Sequence, residues 1–183
     1  MKIIAGILGA KSGSVYIDGK DVTDLSPEDR EIGYVPQHPA LFRHLTVKEN
    51  IYYALRNGRG AVEEGDRLIR MLGLGEVLNK KPGVLSGGYQ SRVSLARALA
   101  SRPKVMLFDE PLSDLDLAIK EHLLPEFKKV LKALGMPVLY VTHDPREARL
   151  VGDSFSALVQ GEIREIPSAE EAFNLIKADY ASC

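Results

Sequence analysis

Residues 85–110 read LSGGYQSRVSLARALASRPKVMLFDE: a turn, a helix-period segment and a short apolar run that ends in two acids. The opening Leu85-Ser86-Gly87-Gly88 has a serine able to cap a helix. Its paired glycines would let an anion reach bare N–H groups at the helix's positive end. Alone, these residues are equally an ordinary serine-glycine turn before an amphipathic helix. Val105-Met106-Leu107-Phe108-Asp109-Glu110 reads as a buried strand delivering two carboxylates. In a parallel sheet, ligands gather at the carboxyl ends of the strands. There Asp109 suits a Mg²⁺ ion, usually through water, and Glu110 could orient or deprotonate an attacking water. Acids leaving a buried strand are also common as plain loop or cap residues.

Outward from this stretch, the chain alternates strands and helices. Ile32–Val35 and Val138–Val141 are short β-branched or aliphatic runs bounded by polar or turn residues, as buried strands are, and a further strand is expected near Phe155–Val159, before the turn Gln160-Gly161. Apolar residues at three- and four-residue spacing predict helices over about 47–56, 62–72, 88–101, 118–134 and 169–176. Ser26-Pro27-Glu28-Asp29 has the form of a helix start. Ser14–Ile17 running into Asp18-Gly19 predicts a hairpin. No internal repeat or low-complexity linker interrupts the pattern. The expectation is an α/β fold with a mostly parallel sheet.

Composition narrows the function classes. At 183 residues the chain is one domain able to bury a real core. Its 24 Lys+Arg nearly cancel its 25 Asp+Glu, which leaves no footprint for nucleic-acid or lipid binding. The single cysteine is the last residue, Cys183, so there is no disulfide framework and a reducing cytosol fits. No apolar run approaches the roughly 20 residues that cross a bilayer. MKIIAGILGA is too short for a signal peptide. Any membrane connection is expected to run through a partner.

Two more constellations bear on chemistry. Val138–Val141 delivers Thr142-His143-Asp144 to the sheet edge, where an imidazole could bond a γ-phosphate oxygen. A lone histidine after a strand is also common as a structural residue. Tyr34-Val35-Pro36-Gln37 ends a strand in a glutamine. Ser113-Asp114-Leu115-Asp116 follows the carboxylate pair. Neither is specific alone.

In order, Gln37, LSGG, Asp109-Glu110, Ser113–Asp116 and His143 resemble the Q-loop, signature, Walker B, D-loop and H-loop of ABC transporter ATPases. The resemblance runs from about Ile3 to Ile176. The phrase YIDGKDVTDLSPEDREIGYVPQHPALFRHLTVKENIYYALR looks most like ATPases of bacterial and archaeal solute importers, of the molybdate/tungstate/sulfate, iron or polyamine type. It implies a P-loop NTPase fold in one domain spanning 1–183, with a helical and signature subdomain inserted over about 37–102. It also implies ATP and Mg²⁺ as cofactors. Glu110 and His143 would be catalytic; Gln37, Ser86, Gly87, Gly88, Asp109 and Asp116 would bind nucleotide, and Asp109 and Gln37 the metal. The implied partners are a second ATPase subunit in a head-to-tail dimer, membrane permease subunits and a solute-binding protein, without nucleic acid. The protein would lie on the cytoplasmic face of the membrane, held through the permease.

One expected part is missing from the sequence. Ala5 to Ser12 mimics GxxxxGK[ST] at Lys11-Ser12, but Ala5 and Ala10 stand at both glycine positions. A hairpin follows where a helix should. By the family pattern this is where the helix after the P-loop ends, so Walker A and the strand feeding it are expected roughly ten to fifteen residues before Met1. The signature's usual glutamine is replaced by Tyr89. Lacking the phosphate cradle, the chain alone is expected to be inactive. Two other readings stay open: a non-catalytic subunit supplying an LSGG half-site to a partner, or a soluble ABC ATPase outside transport.

Overall fold

The computed structural model describes residues 1–113, 115, 117–172 and 174–175. Its centre is a three-stranded parallel sheet of β3 (Ile32–Val35), β4 (Val105–Asp109) and β5 (Val138–Val141), with β4 in the middle. Ile32 pairs with Val105 and Val35 with Phe108; on the other side Met106 pairs with Val138 and Asp109 with Val141. The register therefore brings the carboxyl ends of all three strands to one edge. Met106, Leu107 and Phe108 are fully buried, as expected of a strand covered on both faces.

Two antiparallel hairpins flank this sheet in sequence. β1 (Tyr16–Ile17) and β2 (Lys20–Asp21) are joined by Asp18 and Gly19, both at positive φ (50° and 74°), as a two-residue hairpin turn of this hand demands. β6 (Phe155–Val159) pairs with β7 (Glu162–Ile166) around Gln160-Gly161.

The helices are α1 (Val47–Ile51), α2 (Tyr53–Arg56), α3 (Val62–Met71), α4 (Gly87–Ala100), α5 (Leu117–Leu134) and α6 (Pro145–Val151). Thr46 and Glu49 form a reciprocal capping box that starts α1. The single helix expected over 47–56 is broken at Tyr52, whose backbone leaves helical geometry (φ −84°, ψ 9°). Ser26 starts only a 3₁₀ turn, Pro27–Asp29. The helix expected at 169–176 is present over 169–172 and 174–175, and its end lies outside the described residues. α6 and β7 were not expected: α6 is too short to show a period, and β7, with one isoleucine among charged residues on each face, has no apolar run.

α4 packs on α1, α2, α3 and β3, and α5 packs on α6. One core cluster runs from Val47, Ile51, Leu68 and Leu74 through Val93 and Leu95 to Met106, Phe108 and Phe127. Phe108 and Phe127 meet edge-to-face at 5.4 Å. This core fixes α4, and with it Ser86–Gly88, relative to the sheet.

The P-loop mimic is no phosphate cradle. Residues 1–8 are hydrogen-bonded turns, with Ala5 N–H donating to Met1 O and Ile7 N–H to Lys2 O. The buried Arg30 guanidinium donates to Ile3 O and Ile4 O (2.9 Å each), Leu25 O and Thr23 O. Gly6, at φ 77°, lies against that guanidinium with no room for a Cβ.

Candidate functional site

The carboxyl edge of the sheet gathers four of the candidate residues. Asp109 is the last residue of β4, and its Oδ2 accepts from the Tyr34 hydroxyl of β3 at 2.8 Å. Burial, reinforced by this carboxylate, pushes the Tyr34 phenol up to about 12. Tyr34 thus stays a donor and occupies one side of the carboxylate. Glu110 follows at φ 48°, a left-handed conformation uncommon outside glycine. It is held there by its N–H donating to Val141 O (2.9 Å) and by Ser113 N–H and Oγ donating to its carbonyl (3.1 and 3.0 Å).

The twist at Glu110 turns its side chain toward the end of β5, where Oε2 lies 2.8 Å from His143 Nδ1. The His143 side chain is 72% exposed and that of Glu110 26%, so the pair opens to solvent. Gln37, exposed, follows β3 by two residues at the same edge. A carboxylate bonded to an exposed imidazole, beside a second carboxylate held by a phenol, can accept a proton from water and present one oxygen to a hard cation. Among the described residues no group of three or more His, Cys, Asp or Glu converges as a metal cage.

Ser86 occupies the N-cap position of α4, but its side chain makes no capping hydrogen bond, contrary to the expectation. Its carbonyl accepts from Gln90 N–H instead, and its hydroxyl is left to other partners. Gly87 opens the helix where a Cβ would come within 2.7 Å of Leu115 Cδ2, so glycine lets the turn seat on the segment after β4. Gly88 is buried. Tyr89 packs near the Arg92 guanidinium, 5.9 Å from its ring centre. Asp116, like Asp114, lies outside the described residues.

Several functional-site neighbours escape sequence reasoning. Tyr34 looks like one more strand aromatic, since nothing local marks its hydroxyl as aimed at a residue 75 positions away. Lys120 and Glu147, both buried, join the half-buried Thr142, the residue before His143, in one cluster. Glu147 sits in the first turn of a helix, where an acid ordinarily answers the dipole.

The profile of the ABC transporter family matches residues 1–113. The chain belongs to the ABC transporter family. It is 42% identical to the molybdate/tungstate import ATP-binding protein WtpC of Archaeoglobus fulgidus, covering 99% of this chain and 76% of that one. It is 36% identical to the Fe(3+) ions import ATP-binding protein FbpC of Fusobacterium nucleatum, covering 94% of this chain and 48% of the relative. The chain spans about half the length of most of the curated relatives it matches. Among solved structures it is similar to the ATP-binding cassette MJ0796 in a dimeric post-hydrolysis state bound to ADP and Pi. The TM-score is 0.74 at 32% identity, over 90% of this chain and 78% of that one. The architecture is the ABC ATPase form of the P-loop NTPase fold, and the kinship with importer ATP-binding subunits agrees with the reading of residues 16–56.

Proposed function

We propose that the chain is part of the ATP-binding subunit of an ABC importer, coupling ATP hydrolysis to solute uptake. Glu110 and His143 would be its catalytic pair. The observation that carries this is the 2.8 Å contact between Glu110 Oε2 and His143 Nδ1, one residue from Asp109 at the carboxyl edge of a parallel sheet. Glu110 would receive the proton of the attacking water, while His143 orients that carboxylate through its Nδ1–H and, when both ring nitrogens carry a proton, would donate Nε2–H to a γ-phosphate oxygen.

The donor chemistry fits Mg²⁺. Asp109 offers oxygen, one side is already engaged by Tyr34, and among the described residues no cage of three or more His, Cys, Asp or Glu surrounds it. A cation held by one carboxylate, with phosphates and water filling the rest, is the usual arrangement for Mg²⁺ on a nucleotide. Gln37 would add its amide oxygen. Bound there, Mg²⁺ would neutralise phosphate charge.

Ser86, Gly87 and Gly88 would contact the ATP of a second ATPase subunit in a head-to-tail dimer. Asp116 would act at that same interface. A permease, with a solute-binding protein feeding it, would hold the assembly on the cytoplasmic face of the membrane. No helix among the described residues is long and apolar enough to cross a bilayer. The transported solute would be set by those partners.

The test compares this chain with a version carrying a GxxGxGK[ST] loop and its strand ahead of residue 1. The chain as it stands should show no specific MgATP hydrolysis. The extended one should hydrolyse ATP with a rate that rises faster than linearly with protein concentration. In it, Glu110→Gln should abolish turnover while ATP binding persists, because the amide keeps the shape but is no base. Hydrolysis by the unextended chain that Glu110→Gln leaves unchanged would refute the site assignment.

A further inference from the structure

Glu147 is the one fully buried carboxylate among the described residues, with 1% of its surface exposed. Three donors from three parts of the chain converge on it. Lys120 Nζ of α5 lies at 2.9 Å from Oε1; Tyr140 OH of β5 and Thr142 Oγ1 of the following loop lie at 2.9 and 3.0 Å from Oε2. Lys120 is itself buried, and its ammonium is 3.9 Å from Asp144 Oδ2. The Thr142 hydroxyl also accepts from the Asp144 N–H at 3.0 Å, and Asp144 Oδ1 accepts from Arg146 N–H at 2.9 Å.

Burying an ion pair is a costly way to join two helices, since apolar side chains of similar volume commonly do as well or better. What a carboxylate with converging donors provides instead is a fixed position for each of them. Here the fixed groups are the residues on both sides of His143. The imidazole itself is largely exposed, so packing does little to hold it. Its place is set by its backbone and by the Glu110 contact.

We propose that Lys120, Glu147 and Thr142 are positioning residues that set His143 against Glu110. Their catalytic consequence rests on the ATPase reading above; the placement itself does not. Lys120 belongs to α5, which begins just after the segment carrying Ser113 and Leu115. The same cluster therefore ties that segment's helix to the histidine loop. Tyr140, whose phenol is pushed strongly upward by burial and then by Glu147, stays a donor to the cluster throughout the ordinary pH range.

The experiment reads the His143 ring by NMR on the full chain with isotope-labelled histidine, without nucleotide and at alkaline pH, where imidazole is neutral. His143→Gln identifies its signal among the four histidines. The unsubstituted chain should show His143 predominantly with the proton on Nδ1, and Glu110→Gln should perturb that signal. Thr142→Val removes the tie to the loop but leaves Lys120, Tyr140 and Glu147 joined. It should let both tautomers appear while the melting midpoint stays within about 4 °C, and Thr142→Ser should restore the single form. Glu147→Gln, where it folds, should act like Thr142→Val. A His143 signal unchanged in Thr142→Val would overturn the proposal. Because no ATP is present, that result and a failure to hydrolyse ATP are separate outcomes.

Discussion

Asn50 makes no contact with the candidate site, yet it decides the shape of the loop that follows Gln37. Fully buried at the end of α1, it accepts from Phe42 N–H at 2.9 Å and donates to Phe42 O at 3.1 Å and Thr46 O at 2.9 Å. Phe42, so held, stacks against Tyr53 at 4.4 Å and lies under the Arg97 guanidinium at 4.9 Å, which also donates to Ala40 O. A single amide thus does for residues 40–46 what a turn of helix would do elsewhere. Asn50→Ala takes the partner from Phe42 N–H, while Phe42 O and Thr46 O keep the Leu45 and Asn50 N–H groups, and should cost roughly 1–3 kcal/mol in denaturant unfolding. Hydrogen exchange should accelerate first at Phe42. A substitution that leaves both quantities unchanged would show that the loop is held by its aromatic contacts alone.

At the scale of elements, the α1–α2 break and α3 show how a contact can reverse the sign of a propensity. Gly65 is a buried helical glycine, and alanine there would ordinarily gain about 1 kcal/mol. A Cβ at that position, however, would meet Tyr52 Cε1 at 2.4 Å, in a ring pinned by its hydroxyl donating to Asp66. Gly65→Ala should therefore destabilise the protein by about 1–3 kcal/mol. In a Tyr52→Ala background the same change should become neutral or stabilising, which a double-mutant cycle by chemical denaturation reads directly. Tyr52 also carries a pH signature. Burial, then Asp66, pushes its phenol up to about 12 from an ordinary value near 10. The folded state holds that proton more tightly than the unfolded state. Its contribution is therefore whole below pH 10 and is lost as pH rises through about 12. Tyr52→Phe should flatten that part of the alkaline unfolding curve; an unaltered slope would contradict the assignment.

The same elements show what was legible in the sequence. Ile32–Val35 and Val138–Val141 match the expected strands residue for residue, and Phe155–Val159 lies where a further strand is expected, because short β-branched and aliphatic runs bounded by turn residues have the length and composition of strands. The order of Gln37, Ser86–Gly88, Asp109-Glu110 and His143 was legible for a similar reason: each follows a strand end or opens a helix. The Tyr52 break was not, since residues 47–56 keep helical spacing on both sides of it. The Glu147 cluster was not legible either. Its members are spread over residues 120–147 and join only when α5, β5 and α6 pack, and no local pattern encodes a burial that is entirely tertiary.

Taken whole, the molecule has an uncovered side. Among the described residues β5 pairs only with β4, and Leu139 (44% exposed) and Val141 (39%) are uncovered on a strand that reads as buried. Leu158 and Ile163, paired across β6–β7, are exposed too. An apolar strand with a free edge favours association. Sedimentation velocity should therefore find this chain self-associating, and Leu139→Lys with Val141→Lys should shift it toward monomer. A monodisperse monomer with an unsubstituted β5 would contradict this. The left-handed backbone at Glu110 has a different consequence, for how such a protein can evolve. Glycine is at ease at φ 48°, where glutamate is not. The surrendered contact to an exposed histidine is worth little to stability. Glu110→Gly should then leave the fold as stable as before or firmer by up to about 1 kcal/mol. On the proposed reading, this position keeps glutamate for its carboxylate at the expense of the backbone, a choice that folding alone would not favour.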